Sequence, residues 1–247
     1  MNDFNTNARH GSVSQPAETD LGLRDFMLGT YRYMAMAMAV TAGVAFFVGQ
    51  AILANPAILG LIYNPVVALI SLGVIMFGFG AVGRKLGSMS LNGVRAFLFG
   101  FAAFMGVLMS AYASIYDPMI VAKIFFMTVA MFGALSMFGY TTGFNLSSII
   151  KYAAAAFMGY IVIGIIGMFY APFSVTAGGT FGIIINIIAL AAIAIITAWE
   201  TQMLKRTYYS VAGNPAMAGK MSAFGAASLL LAFINMFQIL MNLFGRE

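Results

Sequence analysis

The run TFGIIINIIALAAIAIITAW, residues 180–199, carries no charged side chain and a single amide, Asn186. About 20 apolar residues at 1.5 Å rise reach across a hydrocarbon core of ~30 Å. Lipid offers no water to free backbone amides, so such a run becomes a helix across the membrane. Six further runs of the same kind occupy 34–54, 60–82, 96–116, 119–139, 149–170 and 222–244. The expected fold is therefore an all-α membrane protein with seven transmembrane helices. It divides into a polar N-terminal tail, residues 1–30, and a membrane domain, residues 31–247. Residues 1–20 are expected to be disordered, because they bury too little apolar surface to offset the entropy of ordering.

Composition agrees with this reading. Hydrophobic residues make up 62% of the chain and charged residues 8%, against roughly 25% charged in an ordinary soluble domain. There is no cysteine, which excludes disulfides and thiolate metal sites. The net charge of +5 is spread along the chain rather than gathered into a patch, so no nucleic-acid partner is expected. The partner that the composition does require is the lipid bilayer.

The basic residues set an orientation. With the N-terminus inside, Arg9, Arg24, Arg32, Arg84, Lys85, Arg95, Lys151, Lys205, Arg206 and Lys220 lie on the inner side, and Lys123 and Arg246 on the outer. The positive-inside rule then places the N-terminus in the cytoplasm and, after seven crossings, the C-terminus outside. Tyr116-Asp117-Pro118 is read as a tight outer turn between the third and fourth spans, and 205–220 as an inner loop. In the third span Ala102, Gly106 and Ser110 form a small-residue face of the kind that lets helices pack closely in lipid. Met34, Met36 and Met38 alternate, so their sulfurs cannot converge on one ion.

Two polar stripes stand out. Asn186, Thr197 and Glu200 share a face of the sixth span, joined through Ile193, and Ser228, Asn235, Gln238 and Asn242 share a face of the seventh, with Ala232 between the first two. Polar groups in a membrane turn toward partner helices or a wet cavity. The stripes are therefore read either as interhelical hydrogen bonding or as the lining of a path between two facing helices. Glu200 is the only acid inside or at the inner end of a span. A carboxyl there changes charge with pH, which makes Glu200 the candidate gate or pH sensor.

The string Trp199-Glu200-Thr201-Gln202, with Phe233-Ile234-Asn235-Met236-Phe237 in the last span, resembles the paired signature of the Bax inhibitor-1 (transmembrane Bax inhibitor motif) family, whose bacterial branch includes the YccA proteins. Its members carry Asp-Thr-Gln at the end of the sixth span and Leu-Asp-Phe-Ile-Asn in the seventh. Phe132-Gly133-Ala134-Leu135-Ser136, Gly139-Tyr140-Thr141-Thr142 and Met27-Leu28-Gly29-Thr30-Tyr31 resemble further blocks of bacterial members, so the likeness runs over residues 21–245. The resemblance implies a bundle of seven helices with the last one central, surrounded by the other six. It also implies a pH-sensitive leak for calcium or other cations, gated by an aspartate pair between the last two helices, or else a regulator that binds other membrane proteins or a membrane-bound protease. It implies a bacterial inner-membrane location.

This chain departs from the family at the gate. The first acid position is Glu200 and the second is Ala232, so two carboxyls cannot share a proton there. The basic residue expected at the end of the second span is matched only roughly, by Arg84 or Lys85.

Enzyme classes find no support in the sequence. The sole histidine, His10, lies in the tail, and no aspartate lies in any of the seven runs. The seventh span has no lysine for a Schiff base, and no glycine loop with its lysine is present for a nucleotide. A protein without catalytic residues or cofactor is expected. Cation leak and protein-binding regulator remain the two readings.

Overall fold

The computed structural model describes residues 15–170, 175 and 179–245, with side chains from residue 21. Seven of its helices are long and apolar enough to cross a membrane, and no strand occurs among the described residues. In chain order the helices are α1 (Gln15–Ala54), the short α2 (Ala57–Ile62), α3 (Pro65–Lys85), α4 (Leu91–Ile115), α5 (Pro118–Thr141), α6 (Ile150–Phe169), α7 (Thr180–Val211) and α8 (Pro215–Phe244). The sixth and seventh spans are thus α7 and α8.

Helix starts follow local chemistry. Asn64, Ser90, Asp117 and Asn214 each place a side-chain oxygen on an N–H of the first turn, at 3.0, 3.1, 2.7 and 3.0 Å. Pro65, Pro118 and Pro215 follow as first helical residues, where a missing N–H costs nothing. The turn at Tyr116-Asp117-Pro118 forms as expected. The run 60–82 does not stay whole: Pro65 pushes Asn64 into an extended conformation, which ends α2 and starts α3.

Three expectations need correcting. Residues 15–20 are helical, whereas residues 1–14 lie outside the described residues. Pro16 and Glu18 suit the first turn of a helix, and the chain just beyond is pinned by packing. The boundary expected at residue 30/31 falls inside α1, because Leu23, Phe26 and Met27 are buried against Tyr208 of α7. The expected inner loop 205–220 is mostly helix: α7 runs to Val211, α8 begins at Pro215, and only 212–214 connect them. The same Phe26–Tyr208 contact, with ring centroids 5.4 Å apart, holds this extension of α7 in place.

The last helix is the core of the bundle. It is buried along most of its length and packs against α1, α4, α5 and α7. α3 reaches it through the Phe79–Phe224 ring pair and α6 through Tyr160 and Asn242. By contrast α3 and α6 bury one residue each, Ser71 and Ala153, and their other residues are half-buried or exposed. Small residues set the close approaches. A Cβ on Gly106 would lie 2.7 Å from the Thr41 carbonyl of α1, and Thr41 Oγ1 donates to the Ala102 carbonyl at 2.9 Å. The face Ala102, Gly106, Ser110 is therefore the α1 docking surface. A Cβ on Gly139 would collide with the Ala198 carbonyl, which places α5 directly on α7. Met34 is buried while Met36 is exposed, so the alternating methionines do not share an environment.

Candidate functional site

The two polar stripes meet where α7 and α8 cross the bundle as antiparallel neighbours. At the end near the α7–α8 turn, Ser228 Oγ donates to Glu200 Oε1 at 2.7 Å. Glu200 Oε2 is buried without a hydrogen-bond partner, as is the neighbouring Trp199 Nε1. A buried polar atom left unpaired is costly and calls for a reason. Around this carboxyl the α7 hydroxyls turn back on their own helix: Thr197 donates to the Ile193 carbonyl at 2.8 Å, and Thr201 to the Thr197 carbonyl at 3.2 Å.

At the other end a second polar node forms. Asn186, 2% exposed, donates to the carbonyls of Gly182 and Val175, each at 2.8 Å. Its Oδ1 accepts from Tyr160 of α6 at 3.4 Å and from Asn242 of α8 at 3.5 Å. Four segments of the chain are tied together there. Both nodes share one register, since fourteen residues separate Glu200 from Asn186 and fourteen separate Ser228 from Asn242. That spacing corresponds to about 21 Å along the helices. Between the nodes Ile193, Leu229, Ala232 and Met236 are buried, while Thr197 and Asn235 spend their polar groups on their own helices.

Other candidate residues are not brought together. Asn235 donates to the Leu231 carbonyl of its own helix at 2.9 Å, and Gln238 is half-buried on α8. Ala232 is 3% exposed and offers no polar group beside Glu200. Arg84 and Lys85 are exposed at the end of α3, and among the described residues neither bonds to Glu200.

Sequence reasoning missed two members of this region. Gln202 clamps the α5–α6 connection: its Oε1 accepts from the Leu146 N–H at 3.2 Å and its Nε2 donates to the Phe144 carbonyl at 2.8 Å. Arg206, one turn on, adds bonds to Asn145, Ser147 and Gln202. The signal for Gln202 was in the string Trp199-Glu200-Thr201-Gln202, as a long polar side chain one turn from a cation on the same helix. Tyr160, in an otherwise apolar span, was the other.

Comparison with known proteins places this arrangement in a family. The inner membrane protein YbhL of Escherichia coli (strain K12) is 28% identical over 241 residues, covering 97% of each chain. An uncharacterized protein of Rickettsia prowazekii (strain Madrid E), RP147, is 29% identical over 96% of this chain and 95% of its own. One from Caulobacter vibrioides is 29% identical over 99% and 98%. Residues 23–247, from the first buried leucine of α1 onward, match the family described as inhibitor of apoptosis-promoting Bax1, so the chain belongs to the Bax inhibitor-1 family.

Proposed function

We propose that this protein is a multi-pass protein of the bacterial inner membrane that leaks cations, calcium included, along the α7–α8 seam under the control of Glu200. The observation that carries this reading is the Glu200 carboxyl, held by Ser228 through one oxygen while the other is buried without a partner. Ionisable residues inside a membrane bundle are rare and mark substrate or ion pathways, proton relays or ligand counter-ions. The name of the YbhL relative and the seven apolar helices support the location, and the basic residues on the N-terminal side support a cytoplasmic N-terminus.

Neutral Glu200 is compatible with the closely packed seam between the two polar nodes. An ionised carboxylate at that depth needs water or a cation, which favours parting α7 from α8. With Ala232 at the second acid position, one carboxyl titrates in one step instead of the coupled pair of a dyad. Leak should therefore rise with pH as a single transition. In proteoliposomes loaded with a calcium dye, Glu200→Gln should give low flux with little pH dependence, because the amide keeps the size and loses the charge. Ala232→Asp should steepen the curve or split it in two. Identical flux–pH curves in all three proteins would overturn the reading.

A second reading is a regulator that binds other membrane proteins, such as a membrane-bound protease, without transport. The buried Ala232 in place of an acid favours it. Wild-type flux at background, with flux appearing only in Ala232→Asp, would select it. Neither reading requires catalysis, a cofactor or nucleic acid.

A further inference from the structure

A cavity of about 770 Å³ lies away from the α7–α8 seam, between α1 and α5, with Phe233 of α8 at its floor. A smaller one of about 170 Å³ continues it toward the far side of the bundle. The α1 wall runs from Arg24 to Ala42, about 27 Å along the helix and nearly the thickness of a hydrocarbon core. Its rims carry exposed apolar side chains, Leu28 on α1 and Met137 on α5. In a membrane span such a rim faces lipid, so the groove opens sideways into the bilayer.

Two polar features break this apolar lining. Ser136 Oγ, on the α5 wall, is buried and has no hydrogen-bond partner. Arg24, at the N-terminal mouth, is exposed and has no ion pair among the described residues. Lys205 adds a second cation at that end: it donates to the carbonyl of Tyr140, another lining residue, at 3.1 Å. Asp20 and Asp25 are the acids nearest in sequence: Asp20 stands one turn before Arg24 on α1, with its side chain outside the described ones, and Asp25 is about 100° round the helix.

We propose that the α1–α5 groove binds one anionic phospholipid from the leaflet on the N-terminal side. One of its two acyl chains lies between the helices, the other stays in the bilayer, and its headgroup phosphate meets Arg24. Basic mouths of grooves between membrane helices hold anionic headgroups in this way. The buried Ser136 hydroxyl supplies a donor to the ester carbonyls. At roughly 30 Å³ per water-sized group, the cavity holds about 25 heavy atoms, the size of one acyl chain with its ester and glycerol.

Native mass spectrometry of the full-length protein tests this. The delipidated protein would be incubated with equal amounts of phosphatidylglycerol and phosphatidylethanolamine of matched chains. We expect one retained phosphatidylglycerol, preferred by about fivefold, the factor that one basic residue near an anionic headgroup gives. Arg24→Gln should clearly lower that preference, leaving only what Lys205 contributes. Gly133→Phe fills the groove from a position where an added Cβ meets open space, and should remove both adducts while leaving the melting temperature nearly unchanged. Ala39→Phe, on the opposite wall, should do the same and stands in if Gly133→Phe does not fold. No retained lipid in the wild type, equal retention of the two lipids, an Arg24→Gln variant with unchanged preference, an adduct of non-lipid mass, or full retention in the groove-filled variants would each overturn the proposal.

Discussion

Glu200 and Gln202 sit two residues apart on α7 and do different work. Glu200 meets α8 through Ser228, whereas Gln202 faces the α5–α6 connection and satisfies both an N–H and a carbonyl of its backbone. Loss of a partner from a buried donor such as the Leu146 N–H costs about 1–3 kcal/mol. Gln202→Ala should therefore lower the thermal stability of the detergent-solubilised protein by about that amount. Gln202→Glu keeps the acceptor for Leu146 and Arg206, loses only the donation to Phe144, and should cost less. Equal melting temperatures for wild type and Gln202→Ala would mean that the clamp contributes nothing. The motif was visible in the sequence, but the role was not. Nothing in the order Trp-Glu-Thr-Gln says which neighbour each side chain meets.

At the scale of helices, the facing of the two polar stripes was legible from their spacing, and the register was not. Two facing stripes would bring Thr197 and Asn235, or neighbouring positions on those faces, together. The two observed nodes instead set Ile193 level with Asn235 and Thr197 level with Leu231, about one turn away. Close packing fixes this offset, because Leu204 of α7 sits against Gly225 of α8 and leaves no room for a Cβ there. In this cysteine-free chain, cysteines introduced at Ile193 and Asn235 should crosslink more efficiently than a pair at Thr197 and Asn235. Equal yields would point to a seam that slides. The small-residue face of α4 was readable in the same partial way: Ala102, Gly106 and Ser110 announce a contact, and only the fold names α1 as its partner.

For the whole molecule, the proposed orientation with seven crossings would put the two ends of the chain on opposite sides of the membrane. A reporter fused after Glu247 should read as outside, and one inserted at 212–214 as inside. A cytoplasmic signal from the C-terminal fusion would remove one crossing and the orientation with it. The three-residue turn at 212–214 is the better internal site, because the flanking basic residues Lys205, Arg206 and Lys220 all lie within helices.

The sequence alone determined the number of spans, their class, most of their breaks and the family. Each of these depends on a local sum or a local string: about 20 apolar residues must satisfy their own backbone in lipid, and an Asn or Asp before Pro starts a helix wherever it falls. The tertiary structure alone decided that Ser228 is the hydrogen-bond partner of Glu200, that α1 is already packed at Leu23, and that the large cavity lies between α1 and α5 rather than along the polar seam. These outcomes rest on how closely helices remote in sequence can approach. In lipid that approach is set by shape, by a glycine under a carbonyl or a leucine over a missing Cβ, more than by hydropathy.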